Sequence, residues 1–373
     1  MKIALLGTRG IPANYGGFET FAEELSVRLA RRGHEVTVYC RSNYFKTRDR
    51  VYRGVRLQRL PTIPHKYFDT IAHTFLSTLH LLFRRHDVVL YCNGANSIFT
   101  AAPRVLGMPT ALNVDGLERK RRKWNAVARA WYAVSERLST RLPSELITDA
   151  AVIQRYYSER YGKHSHLIAY GTETGKLEAG EALRRFGLTP GDYFLYVSRM
   201  EPENNPLMVV KAFEQISVEK KLVMVGDAPY AVGYIREVRQ TKDPRILFTG
   251  AVYGRAYHEL LSHCFAYVHA TEVGGTHPAL VEAMGRGCPV LFLNVPENAE
   301  VAGEVGLAYE ADTGDLARTM EQVAAMPAGK RKNMGEEAME LAQRRYDWDA
   351  IADQYEQLFK KMVQSHDSQG AVG

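Results

Sequence analysis

Short apolar runs alternate with helical stripes along the whole chain. Runs at 2–6, 35–40, 55–60, 87–92, 110–115, 145–149 and 165–169 have the length and flanking turn residues of buried strands. A second series falls at 193–198, 221–226, 246–250, 265–270 and 288–293. Between the first two runs, Phe18, Phe21, Ala22, Leu25 and Leu29 recur on one helical face, and Gly33 follows as a left-handed stop. Beyond 330 the pattern is helical only, and its last stripe is Ile351, Tyr355, Leu358, Phe359 and Met362. Strands alternating with helices predict parallel sheets covered on both faces. The chain therefore reads as α/β, with two Rossmann-like doubly wound domains facing a cleft. The expected boundaries are 1–172, 173–345, a final helix over 346–364 and a frayed tail over 365–373, with the polar stretch Gly171–Gly180 as the junction.

The 373 residues, 46% hydrophobic and 24% charged, have a globular balance and length enough for two cores. Cys40, Cys92, Cys264 and Cys288 stand far apart in apolar stretches with no CxxC pair. That spacing argues against a disulfide framework or a zinc module and suits reduced, buried thiols of the cytoplasm. A strand beginning at Lys2 leaves no room for a signal peptide, and no apolar run approaches 18 residues. The net charge of +6 conceals a division: residues 1–175 hold 27 Lys and Arg against 14 Asp and Glu, the remainder 21 against 28. The first half thus expects an acidic partner, nucleic acid or an anionic membrane. Arg119–Trp124 sets five basic residues beside an interfacial aromatic, the reading being a membrane contact or a solvated charge run. Residues 71–83, followed by Arg84-Arg85, read first as a core helix on the sheet and second as an interfacial one. Aromatic stacking platforms are not interleaved with the charge, which argues against nucleic acid.

In doubly wound sheets ligands sit beyond the carboxyl ends of strands, where helix N-termini offer free N–H groups to anions. The loop after the first strand, Gly7–Gly17, runs straight into a helix; Gly16 and Gly17 suit close approach to a phosphate, and Arg9 adds charge. A tight turn is the plainer alternative. Gly-x-Gly-x-x-Gly is missing, and the second strand ends at Arg41 without an acid for a ribose, which demotes a nicotinamide enzyme. Arg199 directly follows the first strand of the second series, a position for a bidentate phosphate ligand. The richest segment is His269–Met284: a strand end, a turn with Gly274, Gly275, Thr276 and His277, Pro278 at a helix start, and Glu282 one turn in, placed to accept hydrogen bonds from a ribose diol. The only Asp-x-Asp, Asp347-Trp-Asp349, opens the last helix and reads as capping, so no metal is expected.

With Gly16-Gly17, Arg199 before Pro202-Glu-Asn-Asn205, Val225-Gly-Asp227, Phe248-Thr-Gly250 and Pro278–Met284, the chain over about 1–360 resembles a glycosyltransferase of family 4, with GT-B architecture. Gly7–Glu19, His73–Ser77 and Val114–Glu118 resemble a narrower subgroup that includes bacterial polysaccharide rhamnosyltransferases. The resemblance implies that the last helix packs back on the first domain. It implies a retaining transfer from a nucleoside diphosphate sugar, L-rhamnose from dTDP-L-rhamnose, to a lipid-linked or saccharide acceptor in surface polysaccharide assembly. No cofactor is implied beyond that co-substrate. Arg199, Asp115 and Glu272 are the catalytic candidates; Gly16, Gly17, Arg9, Asn204, Gly250, Gly275, Thr276, His277 and Glu282 the donor contacts; Asp149 and Tyr170 the sugar or acceptor contacts. Three departures stand out: Gly274 occupies the place of the first of two glutamates spaced eight apart, Asn204 that of a lysine, and Asp115 that of a histidine. The alternatives are a GT-B nucleotide-sugar epimerase and a nucleotide-sugar-binding protein without transferase activity. The expected location is the cytoplasm, peripheral at the inner face of the cell membrane.

Overall fold

The structure, a computed structural model, describes residues 1–13, 16–45, 49–65, 68–121, 124–228 and 231–370. The chain divides into two compact units, one of residues 1–120, 124–170 and 348–373, the other of 121–123 and 171–347.

The first unit runs β1 (Lys2–Leu6), α1 (Gly17–Arg31), β2 (Glu35–Arg41), β3 (Val51–Tyr52), β4 (Val55–Leu60), α2 (Asp69–Leu82), β5 (Val88–Cys92), α3 (Ala101–Val105), β6 (Thr110–Val114), α4 (Ala126–Ser139), β7 (Glu145–Thr148), α5 (Ala151–Tyr161) and β8 (His166–Leu167). Its sheet has the order β3-β4-β2-β1-β5-β6-β7-β8, parallel except for the β3–β4 hairpin. The second unit runs α6 (Glu181–Phe186), β9 (Tyr193–Val197), α7 (Pro206–Glu214), β10 (Lys221–Val225), α8 (Val232–Val238), β11 (Ile246–Gly250), α9 (Gly254–His263), β12 (Ala266–His269), α10 (Pro278–Gly285), β13 (Val290–Leu293), α11 (Pro296–Ala302), β14 (Leu307–Tyr309), α12 (Thr313–Ala325) and α13 (Ala328–Arg345). Its six strands are all parallel, in the order β11-β10-β9-β12-β13-β14. The α14 helix (Trp348–Gly370) closes the chain and belongs to the first unit.

Burial explains the order. The central strands β1, β5, β9 and β12 have helices on both sides and are apolar nearly throughout. The stripe on α1 buries Phe21, Ala22, Leu25 and Leu29; Phe21 lies 5.3 Å from the Tyr355 ring of α14 and 5.5 Å from that of Tyr170. Each such ring contributes about 1.5–3 kcal/mol by leaving water. Gly33 has φ +86° and donates to the Ala30 carbonyl, so a left-handed stop does end the first helical stretch.

Two short strands escaped the apolar pattern. β3 has two residues and lies half in water at the sheet edge, and β14 has three. The tail expected to fray from Ser365 is helical as far as Gly370, and residues 371–373 lie outside the described ones. All four cysteines are free; burial lifts the Cys40 thiol to about 11. No helix among the described residues is long and apolar enough to cross a membrane.

Candidate functional site

Each sheet reverses its strand order once, between β1 and β5 in the first unit and between β9 and β12 in the second. The loops beyond those strands are where a doubly wound sheet holds ligands.

In the first unit, the loop after β1 is shaped by glycines other than the expected pair. Gly7 has φ +94°, and a Cβ there would meet Asn96 Nδ2 at 2.8 Å; Gly10 has φ +108°, and its Cβ would meet Cys40 Cα at 2.7 Å. Gly16, the N-cap of α1, is extended at φ −166° and has room for a side chain. Two acids one turn apart on α1 pin the loop down. Glu19, 5% exposed, accepts from the Arg9 amide at 2.9 Å, and Glu23 accepts from the Ala13 amide at 2.6 Å. The Arg9 guanidinium sits 4.4 Å above the Tyr44 ring. Asn14 and Tyr15, between these contacts and Gly16-Gly17, lie outside the described residues.

Asp115 follows β6 and Asp149 follows β7, and both act on Tyr170. Its hydroxyl is held well above the ordinary tyrosine range, first by burial and then by these two carboxylates. Tyr170 is 3% exposed and packs edge-on against Phe18 and Phe21, so its ring is core. Tyr355 of α14 adds a hydroxyl to the same buried corner and accepts from Asn113 Nδ2 at 2.6 Å. The two aspartates are therefore brought together with Tyr170, whereas Arg9 and Gly16 stand with the loop after β1.

In the second unit the loops beyond β9 and β12 are knitted to each other. Asn205, at φ 54°, donates through Nδ2 to the Ala270 carbonyl and to Glu272 Oε1, both at 3.0 Å; the Glu272 amide donates to the Glu203 carbonyl at 3.0 Å. Glu272 is thus a strut between the two loops. Asn204 is 3% exposed and donates to the Arg199 carbonyl at 2.7 Å, so it shapes the turn that presents Arg199. The Arg199 side chain, 36% exposed, lies 3.6 Å from the buried carboxylate of Glu201, which also faces Arg121 at 4.0 Å. Gly226, at φ +140°, lets β10 turn against the Ser198 backbone: a Cβ would come within 2.9 Å of the Ser198 carbonyl carbon. Gly250 ends β11 at φ +72° with open space around it, and its carbonyl receives the Gly226 amide.

The turn before α10 has an internal lock. A Cβ on Gly274 would stand 3.0 Å from Nδ1 and 3.1 Å from Nε2 of His277, and closer still to Cε1. The imidazole of His277 fills the space that a side chain at 274 would take. Its ring lies 4.9 Å from that of His269, and burial, then His269 and Arg121, hold it well below the ordinary histidine range. Gly275 and Thr276 are buried in the same turn. One turn into α10, Glu282 is 9% exposed, and its Oε2 accepts from the Tyr257 hydroxyl of α9 at 2.6 Å. Burial and the neighbouring Glu282 carboxylate push the Tyr257 hydroxyl well up. Among the described residues no group of three His, Cys, Asp or Glu side chains stands together as a metal site.

Sequence reasoning missed Tyr257, Asn205, Glu201, Glu19 and Glu23. Only the last two left a signal, a pair of acids spaced i and i+4 at a helix start. Of the described residues in Arg119–Trp124, expected at a membrane, Lys120 is exposed and the other three are tied down. Arg119 donates to Glu136 at 2.9 Å and to Tyr156 at 2.7 Å, Arg121 is 8% exposed, and Trp124 Nε1 donates to Glu118 at 3.1 Å. Arg122 and Lys123 lie outside the described residues.

Two family models match this chain without overlap: a glycosyl transferase 4-like domain over residues 16–171, and glycosyl transferases group 1 over residues 191–326. A curated relative, O-antigen chain mannosyltransferase B of Escherichia coli, is 26% identical over 140 residues, a match that spans 36% of each chain. Among solved structures, sucrose-phosphate synthase from Thermosynechococcus elongatus superposes with a TM-score of 0.82 at 20% identity, over 98% of this chain and 99% of that one. HepE from Anabaena, in complex with UDP-glucose, gives 0.78 at 16% identity over 98% and 100%. WaaG, a glycosyltransferase of lipopolysaccharide biosynthesis, gives 0.70 at 16% identity over 94% and 98%.

Proposed function

We propose, from the premise that this chain belongs to the family 4 glycosyltransferases of GT-B fold, that it moves a sugar from a nucleoside diphosphate donor onto a growing surface polysaccharide. The observation that carries this reading is the knitted pair of loops at the strand reversal of the second sheet. One presents Arg199, and the other opens α10 with Glu282 held by Tyr257. The barrier in such a transfer is departure of the diphosphate from an oxocarbenium-like centre. Donors fixed beforehand where that charge develops lower it most. In this reading Arg199 meets the diphosphate, the amides of the Gly274–Thr276 turn add N–H groups, and Glu282 grips the ribose diol and so fixes the sugar in place. The nucleotide complex of HepE supports a nucleoside diphosphate sugar as donor.

The finer reading is retention at the anomeric carbon, L-rhamnose from dTDP-L-rhamnose, and a lipid-linked acceptor at an anionic membrane. It rests on the subgroup resemblance of Gly7–Glu19, His73–Ser77 and Val114–Glu118, with the basic charge of the first unit in support of the membrane. Asp115 and Asp149, buried beside Tyr170, are the proposed contacts on the acceptor side. A donor screen tests the proposal: purified protein, a panel of radiolabelled nucleotide sugars and a lipid-linked acceptor, with the product's anomeric configuration read by NMR. Acceptor-dependent transfer with retention supports it, and inversion refutes the mechanism.

A further inference from the structure

Helix α2 buries polar side chains and exposes apolar ones. Asp69, His73, Thr74, Ser77 and Thr78 are buried beside Leu81, whereas Phe68, Phe75, Leu79 and Phe83 are exposed, Phe83 by 81%. At 3.6 residues per turn those four apolar positions fall within an arc of about 80°. The buried polar face is held by the sheet and the turn after β2: Arg41 donates to Asp69 at 2.5 Å, Tyr44 to the same oxygen at 3.0 Å, and Thr78 is 3.0 Å from the Tyr91 hydroxyl. Expected as a core helix with its apolar side inward, α2 turns that side to solvent.

The apolar stripe does not stand alone. The turn of 94–100 and α3 pack beside α2, α4 packs on that turn, and the Phe75 and Phe99 rings lie 6.3 Å apart. These elements expose Ile98, Val105, Leu106, Val127 and Val134 in addition. A monomer seldom leaves so many large apolar side chains exposed on neighbouring elements without a use for them. Among the described residues the exposed charges on α2–α4 and the turns 83–87 and 140–142 are six arginines, Arg84, Arg85, Arg104, Arg129, Arg137 and Arg141, and one acid, Asp87, whose carboxylate accepts from the Lys2 amide. The acids of these helices, Asp69 and Glu136, are buried against Arg41 and Arg119.

We propose that this face docks on an anionic lipid bilayer. Its phenylalanines and leucine enter the boundary between headgroups and acyl chains, and its arginines meet lipid phosphates. A second copy of the chain is a poorer occupant, because a two-fold interface sets the same arginines opposite one another. The inference rests on the reading above for a lipid-borne acceptor and deepens it by moving the membrane contact from Arg119–Trp124 to α2.

The test is sedimentation of the full chain with vesicles of phosphatidylcholine containing about 30% phosphatidylglycerol, against phosphatidylcholine alone. The wild type should bind the anionic vesicles and release with salt. The variant F75S/L79S/F83S should lose at least about tenfold in partition while still folding, its melting temperature lowered by the half-buried Phe75 and Leu79 but its nucleotide binding without vesicles retained. R84Q/R85Q should bind more weakly and with a shallower salt dependence. No binding by the wild type, or equal binding by the triple variant, overturns the proposal. So does a wild-type dimer in sedimentation equilibrium that the triple variant dissociates. Nucleotide-sugar binding measured without vesicles is a separate readout, so failure of the donor reading is distinguishable from failure of this surface.

Discussion

Replacing Gly274 by alanine should disable the second unit's turn through one residue, His277. The backbone at 274 is not left-handed, so alanine is allowed conformationally and the nearest obstacle is the imidazole. Carbon contacts normally lie at about 3.5–4.0 Å, whereas the new methyl would stand 3.0 Å from Nδ1 and nearer to Cε1, so the ring must move by about 1 Å. It has little room, being partly buried with its ring tilted against that of His269 at 4.9 Å. Overpacking of this kind costs about 1–3 kcal/mol. For a unit of this size that lowers the melting temperature by about 2–4 °C per kcal/mol. Because the displaced turn carries Gly275 and Thr276 toward α10, donor binding should weaken as well. The assay is a cycle of G274A, H277A and the double variant, read by thermal melting and by calorimetric binding of the nucleotide. The double variant should be less impaired than the sum of the singles, since without the ring the methyl has space. Strict additivity, or a G274A protein that melts and binds like the wild type, would refute the lock.

Arg199→Ala should weaken donor turnover more than Glu282→Gln, which itself should lose about 1.5–3 kcal/mol in kcat/KM; Tyr257→Phe should reproduce part of the Glu282 loss, because it frees the carboxylate from its holder. Transfer should persist in excess EDTA; loss that Mg²⁺ or Mn²⁺ restores would point to a metal role and to Asp347 and Asp349. Stability should fall as the pH drops below about 6.5. His73 and His258 are held at about 4 and His269 at about 3 by burial, so below the unfolded value the unfolded chain takes up protons that the folded one refuses. Each such imidazole costs up to about 1.4 kcal/mol per pH unit until its own folded value is reached, and a melting temperature flat from pH 7 to 4.5 would contradict this.

How much of this could be read from the chain is uneven, for physical reasons. Fully buried strands such as β1 and β9 declare themselves because every position is apolar, and α1 because its stripe has a single period. Strands of two or three residues, β3 and β14, are too short to impose a pattern. Periodicity finds the apolar stripe of α2 but carries no sign for inside or outside. That was decided by Arg41 and Tyr91 on the sheet, which draw the polar face inward. In the candidate site, Arg199 and the turn before α10 follow from their positions after strands. The residues that hold them, Asn205, Tyr257 and Glu201, lie in other loops and helices, and one-dimensional spacing does not show that they meet. Gly274 was legible as a departure, but its reason, the His277 ring, needed three dimensions.

The claim that matters most is acceptor-dependent sugar transfer with the donor held by the second unit. Its most direct measurement is the transfer of radiolabel from a nucleotide-sugar panel, with and without lipid-linked acceptor, by wild-type protein and by Arg199→Ala in parallel. Label should enter the lipid fraction for one donor, only when acceptor is present, and should be nearly abolished in the variant. Acceptor-free isomerisation of the nucleotide sugar would contradict it in favour of an epimerase. Tight donor binding without any transfer would reduce the protein to a sugar-nucleotide binder.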